Sequence, residues 1–208
     1  MITQQTVATF LDELASSAPT PGGGSAAAIM GAMGAALISM VCNVTLGKKG
    51  HEAVQAEMKM VRDESEKLRA ALTSMVADDI AAFDGLMSAY RLPKASDDEK
   101  SRRAEAIQIS LSAATETPLA CARACAQVVA LSRRAGEKGF AGVVSDAGVG
   151  VLAANTALRS AALNVFINVP SLKDRSFAAA ATAEIEHLLD DCARESELVF
   201  DLVRSRLG

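Results

Sequence analysis

The sequence predicts an all-α, single-domain helical bundle with two buried apolar helices, and three observations carry that expectation. Apolar residues recur at spacings of three and four along most of the chain, the period of an amphipathic helix. Two long segments, Ser25 to Leu46 and the stretch that ends at Val169, are almost free of charge. No strict apolar–polar alternation, fixed-period repeat or dividing linker stands beside them. At 208 residues the chain is long enough to bury a substantial core without disulfides, so residues 1–208 are expected to form one domain.

Val7, Phe10, Leu11 and Leu14 mark a first amphipathic helix, which the run from Pro19 to Gly24, PTPGGG, breaks. Ser25 is expected to cap the helix that follows. In it Ala28, Ala32 and Ala36 stand one turn apart, as do Gly31 and Ala35, leaving small-residue faces on which another backbone can come close. The segment is long enough to cross a bilayer. Its alanine, glycine and methionine content, with Ser39, Asn43 and Thr45 and no Trp or Tyr belt, makes transfer into lipid weak, so a central buried helix and no membrane partner are expected.

Gly47 to Gly50 ends that helix, and a long amphipathic one is expected from near His51. Val54, Met58, Val61, Ser65, Leu68, Leu72 and Met75 alternate spacings of four and three, a bundle-type seam. The next seam position is Asp79, where an unpaired carboxylate would be costly to bury; Asp78 falls off the stripe and is expected in solvent. After Leu92-Pro93, Ser96 and Glu99 form a capping box that opens a helix carrying Ile107 and Leu111. Thr117-Pro118 is expected to begin another, which Gly136 closes. The connection GEKGFAGVVSDAG leads to the second apolar helix, with Arg159 its only internal charge, and Pro170 stops it. A last amphipathic helix is expected from about Asp174 to Arg206.

The formal charge of −4, the absence of Trp and the single Tyr argue against nucleic acid as a partner. The N-terminus has neither a basic n-region nor an uninterrupted apolar run, so a cytoplasmic protein is expected. Cys42, Cys121, Cys125 and Cys192 lack CxxC spacing and read as reduced core residues. Cys121 and Cys125 lie one turn apart but no histidine accompanies them; His51 and His187 sit among charged residues as surface side chains. No metal is expected. Two long uncharged helices, one lined by alanine and glycine, exceed what a thin bundle of this size need bury, so a homodimer is expected.

Three polar anomalies remain. Asp79 interrupts the seam. Asn164 and Asn168 lie one turn apart on an otherwise apolar helix, which suits interhelical hydrogen bonding as well as ligand contact. PGGGS before a helix lets backbone N–H groups approach an anion or carbonyl, though no GK[ST] follows and the signal alone is weak.

Taken together, PTPGGGSAAAIMGAMGAALISMVCNVTLGKK, DIAAFDGLMSAYRLPK, TPLACA and SDAGVGVLAANTALRSAALNVFINV resemble, in order and over almost the whole chain, the signatures of the formiminotetrahydrofolate cyclodeaminase and methenyltetrahydrofolate cyclohydrolase family. The resemblance implies an all-α homodimer acting on a reduced folate with no further cofactor. No formiminotransferase domain is expected beside these signatures, and the overall likeness is to stand-alone cyclohydrolases, which favours the hydrolase: water adds to the cationic carbon bridging N5 and N10, and the adduct opens to the 10-formyl compound. Cyclodeamination reaches the same cation by expelling ammonia. Either reaction needs a carboxylate to balance the cation and handle protons.

The resemblance makes Asp79 a cation-stabilising carboxylate or general base. Lys94, in RLPK, becomes a proton donor or a ligand for a folate oxygen, against the reading of an ordinary solvated lysine. Asp146 orients the pterin amine or water, unless it or Ser145 is only a helix cap. Gly22, Gly23, Gly24 and Ser25 would hold the pterin or a carbonyl edge, Asn164 and Asn168 would add hydrogen bonds, and Lys48 and Arg91 would meet the acidic glutamate tail. The rival readings are the cyclodeaminase itself and a non-catalytic folate-binding or scaffolding dimer. Asp79 and Asn164 packed against apolar side chains, with no adjoining cavity, would favour the last.

Overall fold

The structure, a computed structural model, describes residues 5–208; the first four residues of the N-terminal stretch read above lie outside it. Six α-helices make up the described chain: α1 (Val7–Leu14), α2 (Gly23–Thr45), α3 (Gln55–Arg91), α4 (Asp97–Lys138), α5 (Val144–Asn168) and α6 (Arg175–Leu207). Short 3-10 turns at Glu52–Val54, Ala141–Val143 and Val169–Ser171 lead into α3, into α5 and out of α5. The all-α expectation is met.

The two apolar helices form the centre. α2 packs on α3, α5 and α4, while α5 packs on α2, α4 and α6. Glycine and alanine let α2 and α5 approach closely: a Cβ on Gly34 would stand 2.9 Å from the Gly150 carbonyl oxygen. Gly23 near the start of α2 faces Asn164 near the end of α5, so the two helices run antiparallel. Both are long and apolar enough to cross a membrane by length and composition, and 61% and 44% of their most apolar windows are buried against neighbouring helices.

The amphipathic helices wrap this pair. On α3 the buried positions are Met58, Val61, Ser65, Leu68, Leu72 and Val76, so the seam drifts from the expected Met75 to Val76 as a 3.6-residue helix departs from a 3.5-residue repeat. α4 and α6 are clamped by two arginine–carboxylate pairs, Arg123 with Glu184 and Arg133 with Glu195. The four cysteines are buried and free, as expected; burial pushes the Cys42 thiol up to about 12.

Four sequence expectations need correction. Thr117-Pro118 does not begin a helix: α4 runs unbroken from Asp97 to Lys138 with Pro118 inside it. Proline withholds the N–H that Ala114 would accept, and Asn168 Nδ2 donates to the Ala114 carbonyl instead, at 2.8 Å. Gly136 likewise lies within α4, buried against Val203 and Leu202. Ser25 is not the cap of α2, which begins after Gly22; its hydroxyl turns to another helix. His51 is half-buried, edge-on to the Phe140 ring.

Candidate active site

The N-terminus of α2 has no side chain of its own to cap it, and the first turn of a helix favours negative charge. Asp79 of α3 supplies that charge from the side. Ser25 Oγ donates to Asp79 Oδ2 at 2.7 Å. The carboxylate presses so closely on the turn that a Cβ on Gly24 would lie 2.0 Å from Asp79 Oδ1. The misfit on the seam is thus resolved by a polar partner on the neighbouring helix. Asp78 is exposed, as its off-stripe position implies.

Asp79 opens onto a cleft of about 250 Å³ whose walls come from α3, α4 and α5, among them Phe83, Leu86, Thr117, Pro118, Asn164 and Asn168. On its other side a pocket of about 10 Å³ is bounded by Gly24, Met75, Thr117, Cys121 and Ala161. That is space for roughly one water. Among the described residues no lysine or arginine lines either space. The cavity beside Asp79 and Asn164 is the feature whose absence would have favoured an inert helical dimer.

Of the residues singled out in the sequence, Asp79, Gly23, Gly24, Ser25, Asn164 and Asn168 are therefore gathered at one end of the bundle, with Gly22 as the residue before α2. The others lie elsewhere. Arg91, exposed at the end of α3, is about 18 Å along the helix axis from Asp79 at 1.5 Å per residue. Lys94 is exposed in the loop between α3 and α4. Asp146 stands in the first turn of α5, about 27 Å along that axis from Asn164. Lys48 is exposed near the same far end, its Nζ 4.0 Å from the Phe140 ring centroid.

Sequence reasoning did not single out Thr117, Pro118, Phe83 or Ile167 as lining residues. For the first two a signal existed: a proline within a continuous helical pattern marks a backbone carbonyl that must find another donor.

Comparison with known proteins agrees with this architecture. The family model Formiminotransferase-cyclodeaminase matches residues 6–187. The chain is 54% identical to methenyltetrahydrofolate cyclohydrolase of Methylorubrum extorquens over the full length of both. It is 35% identical to formimidoyltransferase-cyclodeaminase of Sus scrofa, covering 95% of this chain but 37% of that one. The crystal structure of formiminotetrahydrofolate cyclodeaminase from Thermotoga maritima superposes with a TM-score of 0.83 at 27% identity, covering 100% of this chain and 98% of that one.

Proposed function

The chain belongs to the formiminotransferase-cyclodeaminase family, and from that premise we propose that it hydrolyses 5,10-methenyltetrahydrofolate, reversibly, to 10-formyltetrahydrofolate. The similarity to a cyclohydrolase over the full length of both chains supports this reading. The observation that carries it is a carboxylate, Asp79, at the edge of a cleft with no cationic side chain in its lining. Such a site favours a positively charged, planar ligand over an anion.

In the mechanism we propose, Asp79 balances the charge of the bridging amidinium carbon and takes a proton from the attacking water as its oxygen bonds to that carbon. The neutral adduct then loses its C–N5 bond, the hydroxyl oxygen becomes the formyl carbonyl, and the second proton of the water ends on N5. One proton leaves to solvent, through Asp79. Ser25, donating to Oδ2, fixes the orientation of the carboxylate. The water-sized pocket beside Asp79 suits the nucleophile.

This reading includes a homodimer. Val149, Leu152, Leu163 and Phe166 recur at heptad-like positions on the outer face of α5 and are 54%, 40%, 69% and 37% exposed. A two-fold axis lying across the helices would carry the far end of one copy, with Lys48 and Asp146, toward the cleft of the other, where a folate tail or pterin needs partners. Lys94 and Arg91 are proposed to meet the ligand from the α3–α4 connection. A cytoplasmic location accompanies this reading.

A second reading, cyclodeamination, is favoured by the Thermotoga maritima match, since it would use the same carboxylate toward the same cation. Incubating the protein separately with methenyltetrahydrofolate and formiminotetrahydrofolate, and following the methenyl chromophore, tests both: loss of absorbance marks hydrolysis, appearance marks cyclodeamination, and no change with either overturns both.

A further inference from the structure

The polar side chains around the cleft are oriented by bonds they make to the backbone. Asn164 Nδ2 donates to the Ser160 carbonyl at 3.0 Å, and Asn168 Nδ2 to the Ala114 carbonyl at 2.8 Å. Carbonyl partners accept only, so each amide must present its nitrogen to the backbone, and the direction of both groups is settled by chemistry. Neither amide oxygen receives a donor among the described residues. Thr117 follows the same rule, its hydroxyl donating to the Ala113 carbonyl at 3.0 Å and leaving only lone pairs. Asp79, Thr117, Asn164 and Asn168 all line a single cleft.

The Asn168 bond exists because of Pro118. In an uninterrupted helix the N–H of residue 118 would take the Ala114 carbonyl; proline has none. We propose that Pro118 is a positioning residue that turns Asn168 amide-oxygen-outward, so that the cleft presents a wall of acceptors and reads the N–H-bearing edge of its ligand. Resting on the folate reading above, the matching group is the 2-aminopyrimidine edge of the reduced pterin, where the 2-amino group and N8–H flank N1. Two oxygens one helical turn apart, on Asn164 and Asn168, suit two donors on one edge.

The test compares methenyltetrahydrofolate with its 2-desamino-2-methyl analogue, and in parallel tetrahydrofolate with the corresponding analogue by equilibrium titration. An unpaired acceptor left in the cleft predicts that the native protein prefers the amino form by about tenfold to a hundredfold in kcat/KM and in Kd. Pro118→Ala restores an N–H that competes for the Ala114 carbonyl, so the preference should fall to within about threefold. Asn168→Leu should do the same, and circular dichroism checks that both stay helical. Equal handling of the two forms by the native protein overturns the proposal, as does full preference in both variants. Discrimination in binding without turnover would keep this inference and sink the hydrolase reading; turnover without discrimination would do the reverse.

Discussion

Ser25 of α2 and Asp79 of α3, 54 positions apart in the chain, share a 2.7 Å hydrogen bond in which the hydroxyl donates to the carboxylate. The bond ties the first turn of a central helix to α3 beside the cleft. Asp79→Asn should keep the fold and lower methenyltetrahydrofolate hydrolysis by about 10²-fold or more, the scale of losing a general base or a preorganised charge. Asp78→Asn, on an exposed position of the same turn, is the control and should stay near wild type. Steady-state rates beside circular dichroism read the result; undiminished turnover in folded Asp79→Asn removes this residue from the chemistry.

Glycine at position 24 is required by the approach of that carboxylate. Gly24→Ala puts a methyl 2.0 Å from Asp79 Oδ1, so one of the two must move, and turnover should drop by about tenfold or more for a misplaced catalytic group. Gly85→Ala meets nothing within 4 Å and should raise the melting temperature, alanine being preferred to glycine in a helix by roughly 0.5–1 kcal/mol. If both variants lose activity alike, crowding at Asp79 is not the reason.

Much of the candidate cleft was legible in the sequence. Asp79 announced itself by breaking a seam, and Asn164 and Asn168 by pairing on an apolar helix. What escaped was anything decided by a distant partner. Pro118 reads locally as a helix start, and only Asn168, 50 positions on, makes it tolerable inside α4. Ser25 reads locally as a cap, and Asp79 converts it into an interhelical donor. Nearness in sequence to a motif also says nothing of direction along a helix. Arg91 follows Asp79 by only 12 positions yet lies about three turns away, and Asp146 shares α5 with Asn164 but occupies the other end.

The proposed dimer predicts that the protein sediments as a dimer at micromolar concentration. Leu163→Asp puts a charge on the exposed α5 face, outside the cleft lining, and should shift the protein to monomer. A monomeric native protein under those conditions would rule the assembly out.

Acid should weaken the clamp between α4 and α6. The Arg123 guanidinium holds the Glu184 carboxyl below its ordinary value of 4.5, and Arg133 does the same for Glu195. A carboxylate with a depressed folded pKa contributes stability that is full above 4.5 and is lost as pH falls through the lower folded value. The paired groups are partly exposed, so screening keeps the effect small. Urea midpoints measured from pH 6 down to about 3 should fall less steeply for Glu184→Gln with Glu195→Gln than for the native chain; parallel curves would contradict the assignment.

Turnover should survive prolonged EDTA treatment. No group of three or more His, Cys, Asp or Glu side chains among the described residues is arranged to hold a metal ion, and the proposed reaction is proton transfer at an already electrophilic carbon. Activity that disappears and returns only with added zinc or iron would refute this.

The near-contact of α2 and α5 through Gly34, Gly150 and Ala154 has a mechanical side. At this crossing the two backbones have no thick side-chain layer between them to shear, which would stiffen the pair against sliding. The glycine turn and the asparagine pair both sit at the same end of these two helices, which would keep their separation nearly constant. Asp79, Phe83, Thr117 and Pro118 belong instead to α3 and α4, the outer helices. Any widening of the cleft to admit a ligand would therefore move the carboxylate and the proline against a jaw of glycine and asparagine, and would strain the Ser25–Asp79 and Asn168–Ala114 bonds that tie the two sides together.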